Sequence, residues 1–230
     1  MFVGHYAVSL ALKSKDNKVS LGLLFIAVQF VDILFFPLTL AGIERFNLIE
    51  NYTESTHFQL EFMPFTHSLV AAFFWALVVF LIFKTMRAAK FSKTINSALF
   101  LGVAVLSHWF LDLIVHTPDL PLLIEDSKKV GLGLWNNAIL TYLLEAVILL
   151  LGLVFYMKNT KTNSELSKPN LSKYGMPLFI LVLLLVNLVN IFGPFSSEDT
   201  ETSVAITSIV AYFVFAGIAH WLDGKRVGLK

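Results

Sequence analysis

The sequence predicts an all-α fold: a polytopic integral membrane helical bundle of about six transmembrane helices, preceded by a short N-terminal apolar or re-entrant helix, with both termini in the cytoplasm. Three observations carry this reading. Of the 230 residues, 57% are hydrophobic and only 14% charged, where a soluble domain of this size carries about a quarter charged residues. Six near-continuous apolar windows approach the roughly 20 residues that a helix rising 1.5 Å per residue needs to cross a hydrocarbon core ~30 Å thick. Lys and Arg concentrate in alternate connecting segments.

The first element, Phe2–Leu12, is apolar but too short to span, and Lys13, Lys15 and Lys18 hold its far end at the polar surface. It either lies on the membrane or enters it from the cytoplasmic side. No Lys or Arg precedes it and no small-residue cleavage site follows, so it reads as a retained segment rather than a signal peptide. The spanning windows then run Val19–Ile43, Phe65–Phe83, Ser97–Val115, Leu134–Met157, Met176–Phe192 and Ser203–Leu222. They lack the alternation of a β-barrel, and a helix satisfies every backbone amide internally. Pro37 removes an amide donor and crowds the carbonyl of Ile33, which predicts a kink or an end on the outer side of the first span, close to Asp32.

Orientation follows from charge. Segments 1–18, 84–96, 158–175 and 223–230 hold 14 of the 17 Lys and Arg residues, leaving Arg45, Lys128 and Lys129 for the other side. The positive-inside rule places the former segments in the cytoplasm. The basic residues are thereby explained by topology and give no sign of nucleic-acid binding. A single transmembrane domain covers 1–230: the helices of 1–157 carry the polar residues, 158–175 is a cytoplasmic linker rich in Ser, Asn and Lys around Ser164 to Asn170, and 176–222 is a closing helix pair. The membrane lipids are the one certain partner class, and oligomeric state is left open.

Within these spans stand ionisable groups that cost roughly 2.5–3.5 kcal/mol each at membrane depth unless they face a partner or a wet cavity. His108, Asp112 and His116 are spaced i, i+4, i+8 on one face of the third span. Asp32 sits in the first span, His67 at the outer start of the second and Glu145 in the fourth. Helical rise puts Asp32 and His108 at one level, ~18–20 Å above the cytoplasmic surface, with His5 able to approach from below. The chain has no cysteine, so thiolate zinc sites are excluded and a metal would need imidazole and carboxylate. Asp32, His67, His108 and Asp112 form the candidate ligand set for a divalent ion, zinc above all, with His5 as a further ligand. His116 and Glu145 are the candidate catalytic groups, His116 alternatively a ligand or its support and Glu145 equally a packing group. Asn187 and Asn190 read as interhelical hydrogen-bond formers, His220 as an interfacial anchor and His57 as a solvated loop residue.

Gly4-His5, Asp32, the run Phe65-Thr66-His67-Ser68-Leu69, and Ser107-His108 followed by Asp112 and Thr117-Pro118-Asp119-Leu120-Pro121-Leu122 resemble, in order and spacing, the bacterial YdjM-like membrane-bound metal-dependent hydrolase family over roughly the first half of the chain. The family usually has a second acidic residue and a His just after the first Asp, where Leu34 and Phe35 stand here, and a His-Arg pair where Phe62 and Met63 stand. The runs at Gly4-His5-Tyr6, Gln29 to Phe36 and Gly131 to Asn136 are closer to a divergent branch. The resemblance implies a bacterial inner-membrane location, a metal held by His and Asp, and hydrolysis of a lipid or lipid-linked phosphoester or ester. Two other functions suit the same buried groups: a proton- or cation-coupled transporter, and a noncatalytic scaffold whose polar residues specify packing.

Overall fold

The computed structural model describes residues 1–16, 18–86, 95–124, 127–163, 169–196, 198 and 200–229. Among them are eight helices: α1 (His5–Lys15), α2 (Leu21–Val28), α3 (Phe30–Leu40), α4 (Leu69–Thr85), α5 (Ile95–Val115), α6 (Ala138–Asn159), α7 (Pro169–Phe192) and α8 (Glu201–Asp223). Three antiparallel two-stranded ribbons close the ends: β1 (Arg45–Leu48) with β2 (Phe58–Phe62), β3 (Leu120–Pro121) with β4 (Lys129–Val130), and β5 (Thr160–Thr162) with β6 (Arg226–Gly228).

Each of the six apolar windows is helical, but they are not six equal spans. Helices α5, α6, α7 and α8 are long and apolar enough to cross a membrane, and α2 with α3, bent by 52°, would be a fifth if the pair is one broken span rather than a re-entrant loop. Helix α4 has 17 residues and is shorter. It starts at Leu69 because Ser68 caps it, its hydroxyl accepting from the Ala71 amide at 3.0 Å, which leaves Phe65–His67 in a turn. Helix α6 likewise starts later than Leu134. A tight helical turn over Leu134–Asn136 follows Gly133 at φ 75°, and the Asn137 side chain caps α6 by accepting from Leu140 N at 2.9 Å. The linker expected over 158–175 is shorter too, since α6 runs to Asn159 and α7 opens at Pro169. Its residues 164–168 lie outside the described set, as does 87–94 of the basic segment 84–96.

The bend of the first span falls at Gln29, not Pro37. Gln29 leaves helical geometry at φ −103°, ψ 12° and, buried, donates its side-chain amide to the Phe2 carbonyl at 3.3 Å. Pro37 strips the Ile33 carbonyl of its partner but does not bend α3, which runs on through it and ends one turn later at Leu40.

Packing is set by small residues. A Cβ on Gly152 would stand 2.8 Å from the Ala7 backbone, and one on Gly22 would stand 2.7 Å from the Ala216 carbonyl oxygen, so α1 docks on α6 and α2 on α8 at backbone range. Helix α1 therefore lies inside the bundle, its Tyr6 and Leu10 fully buried, and re-enters it rather than resting on its surface. At the basic end Lys13 of α1 meets Asp223 at 2.9 Å, Asp223 accepts from Tyr156 at 2.9 Å, and Asp16 accepts from Ser97 at 2.8 Å. At the opposite end the β1–β2 ribbon folds over, with Ser55 bonded to Thr141 at 3.1 Å and to the Trp135 carbonyl at 3.0 Å. Leu143, Val147, Leu181, Leu185 and Phe213 face outward, as a lipid-facing surface requires. Two apolar clusters fill the interior, and they part between Val31 and Phe35 on α3 and between Val105 and Trp109 on α5. Asp32 and His108 stand at that boundary.

Candidate metal centre

Helix α5 supplies the axis of the site. His108 Nε2 lies 3.0 Å from Asp112 Oδ2 one turn on, and His116 Nε2 lies 3.5 Å from the same oxygen. From α3, three residues past the bend, Asp32 Oδ1 stands 3.5 Å from His108 Nε2 and 3.1 Å from His67 Nε2. His67, in the turn before α4, is 4.0 Å from Asp112 Oδ2. His5 arrives on α1, its ring stacked 3.9 Å from that of His108 at 4° and its Nε2 3.3 Å from Asp112 Oδ1. The Met1 nitrogen is 2.7 Å from Asp112 Oδ1. Thus Asp32, His67, His108, Asp112, His116 and His5 share one buried locus. Two overlapping sets, Asp32–His67–His108 and His5–His108–Asp112, have ligand atoms all within 4.8 Å of one another.

The outer nitrogens of the imidazoles decide what the inner ones can do. His108 Nδ1 is 2.6 Å from the carbonyl of Val28, the last residue of α2 and a carbonyl at a helix end. A carbonyl only accepts, so Nδ1 carries the proton. His67 Nδ1 is 2.7 Å from the Thr66 hydroxyl, whose own proton goes to Glu44 Oε2 at 2.7 Å, so Nδ1 donates here as well. His116 Nδ1 donates to Asp119 Oδ1 at 2.9 Å. All three rings are held from behind and present Nε2 to Asp32 and Asp112. Nε2 of His108 is buried and has no hydrogen-bond partner among the described residues although two carboxylates stand close. Donors about 2.0–2.2 Å from a zinc ion stand roughly 3.3–3.6 Å apart at the corners of a tetrahedron, and the spacings quoted for Asp32, His67, His108 and Asp112 bracket that range. The residues therefore fit a divalent ion, with Glu44, Thr66, Asp119 and Val28 as its outer support.

Glu44 lies in the connection after α3. Its other oxygen accepts from the amides of Phe65 and Thr66 at 2.8 and 3.0 Å, and burial pushes its carboxyl above the ordinary value. Tyr212 of α8 donates to Asp32 Oδ2 at 3.0 Å, the contribution of the closing pair to the centre. Glu145 faces the cavity, but its Oε2 accepts from the amides of Phe2 and Gly4, both at 3.0 Å, so it first holds the segment that carries His5. Trp135 lays its ring 4.0 Å from that of His116. Gly131 seats their loop there, because a Cβ would strike the carbonyls of Thr117 and His116.

Some sequence expectations change. Asn187 is fully buried, yet neither amide atom is hydrogen bonded among the described residues, while Asn190 lines the cavity. His57 accepts from the Asn51 amide at 2.9 Å and packs on Phe195, so it shapes its loop rather than standing in solvent. His220 bonds Ser20 at 2.8 Å and ties α8 to α2. Phe35 sits edge-on 5.2 Å from His67. The outer supports went unassigned at the sequence level. Thr66 and Asp119 belonged to runs already noted, Glu44 was one of several acidic loop residues, and Tyr212 had no signal beyond being a hydroxyl in an apolar helix.

A cavity of about 280 Å³ opens on the centre. Asp32, His67, Asp112 and His116 line it together with the apolar Phe35, Phe36, Phe58 and Leu60 and with residues of α7 and α8. Comparison with protein-family models, with curated proteins and with solved structures finds no match to this chain.

Proposed function

We propose that this protein is a membrane-embedded, divalent-metal-dependent hydrolase, with Asp32, His67, His108 and Asp112 holding the ion and zinc the best-suited occupant. The observation that carries the reading is the common posture of three buried imidazoles, each donating from Nδ1 to an acceptor outside the centre and turning Nε2 toward two carboxylates. Unless His108 is itself protonated at Nε2, lone pairs would face lone pairs there without a bound cation. A bound divalent ion supplies a water acidified to near neutrality and a Lewis acid for the bond being cut.

The remaining residues then take roles by position. His116, with Nε2 toward the cavity end and Nδ1 fixed by Asp119, holds or passes a proton at Nε2. Tyr212 orients Asp32, Glu145 positions the N-terminal segment, and His5 packs beneath His108 within reach of Asp112. Apolar surface beside the charged groups of the centre suits a lipid-like substrate. Six crossings with both termini in the cytoplasm of a bacterial inner membrane are part of the proposal. The clustering of α1's lysines, the end of α6 and the tail after α8 at one end of the bundle supports it.

The test is elemental analysis of untagged protein purified without added chelator. Near one equivalent of zinc, manganese or a similar ion is expected, falling to a small fraction in Asp112→Ala. Full occupancy in that variant would remove the proposed ligand set.

A further inference from the structure

Resting on the hydrolase reading, the cavity's lining points to a sharper statement, and we infer that the reacting head of the substrate is uncharged: the ester or amide of a hydroxyl-bearing lipid, not a phosphoester. No Lys or Arg stands among the described residues that line the cavity, whereas Asp32, Asp112 and Glu145 all do. Met1 also lines it, but its amino group is taken up by Asp112 Oδ1 at 2.7 Å, and His67 and His116 face Asp32 and Asp112. Arg45, on the ribbon above, is half exposed and faces Glu61 at 3.6 Å. Sites that take phosphoryl groups place Arg or Lys against the non-bridging oxygens, because in a low dielectric each such oxygen must be met by positive charge. Here a divalent ion is already matched by its two carboxylates, and an anionic head would bring further negative charge beside Glu145.

What the cavity offers instead is neutral polarity. Thr207 and Ser208 of α8 and Asn190 of α7 are among the lining residues, and no side-chain hydrogen bond is seen for them among the described residues. Ser55, Thr56 and Thr141 also line it, their hydroxyls already bonded to neighbours within the fold. Hydroxyl and amide groups pair with a glycerol or similar polyol through donors and acceptors of both kinds, and gain little from an anion. Phe35, Phe36 and Phe58 provide apolar surface for an acyl chain.

The reaction balances as hydrolysis. Water oxygen bonds to the carbonyl carbon, the bond from that carbon to the alcohol oxygen or amide nitrogen breaks with its electron pair on the leaving atom, and that atom takes the proton water gave up, leaving a fatty acid and a free alcohol or amine. No oxidant or co-reactant other than water is needed.

Zinc-loaded full-length protein in detergent micelles, its metal content assayed in the same sample, would be offered 1-decanoylglycerol and methyl decyl phosphate. Release of decanoate at least tenfold faster than cleavage of the phosphodiester is expected, and equal or faster phosphodiester cleavage overturns the inference. If neither is cleaved, protection against thermal unfolding by 1-O-decylglycerol and by methyl decyl phosphate decides. Protection by the neutral ether at tenfold lower concentration upholds it, while equal protection, stronger protection by the phosphate or none by either overturns it. Protein that contains no metal sinks the hydrolase reading separately, and the protection assay still reports on the charge preference of the cavity.

Discussion

Glu44 touches none of the four proposed ligands, yet the proton on His67 depends on it. Its Oε2 takes the Thr66 proton, and Thr66 is thereby left to accept from His67 Nδ1. Glu44→Gln puts an amide donor against Thr66, turns that hydroxyl toward His67 Nδ1 and moves the imidazole proton to Nε2, where a ligand lone pair is needed. A loss of ~10–100-fold in zinc affinity is expected, in the range found for outer-shell partners. Thr66→Val should weaken zinc similarly, and the double variant should be little worse than either single one, since both break one chain of bonds. Zinc titrations with a competing chelator would measure this, and wild-type affinity in Glu44→Gln would show that the relay does not set the tautomer. At this scale the sequence exposed the ligands better than their supports. His108, Asp112 and His116 announce themselves because charge on one face of an apolar helix is expensive. A threonine or glutamate in a polar loop costs nothing there and gives no such signal.

Between helices, the decisive contact is the backbone approach of α1 to α6 at Gly152. Gly152→Ala sets a Cβ against the Ala7 backbone, where no rotamer change relieves it, so α1 must shift. A loss of about 1–3 kcal/mol in stability is expected from overpacking, with His5 displaced from its stack on His108. Gly217→Ala is the control, because a Cβ there meets nothing within 4 Å. Thermal unfolding of the two variants in the same detergent should separate them by several degrees, and equal midpoints would mean that α1 is loosely seated. Apolar length marked every helical window in the sequence. Helix ends and bends were less readable, because they depend on single polar atoms reaching across the fold. Pro37 looked like the breaking point, but the bend lies at Gln29, whose side chain bonds Phe2 on a segment that no local pattern pairs with it. The re-entrant path of α1 was open between two alternatives until its neighbours were known.

For the molecule as a whole, the absence of cysteine gives a direct test of the proposed orientation. Single cysteines at Glu50, in the loop of the β1–β2 ribbon, and at Lys161, in β5, should label from opposite sides of intact cells. Glu50→Cys should react with an impermeant maleimide and Lys161→Cys only after the membrane is opened. Labelling of both from the outside would break the positive-inside assignment. That orientation is an expectation from composition alone, whereas the cavity was not legible, being formed by residues of the N-terminus, α3, the β1–β2 ribbon, the turn before α4, α5, α6 with the turn preceding it, α7 and α8.

On the proposed reading, ion and substrate fall to different parts of this molecule. The proposed ligands come from α3, the turn before α4, and α5, while α7 and α8 reach the centre through Tyr212 alone and otherwise line the cavity with Val186, Asn190, Ile191, Thr207 and Ser208. If the proposed function holds, exchanging that closing hairpin between distant homologues, with the tyrosine retained, should change the substrate preference and leave the metal content unchanged, and mutational drift should be freest there.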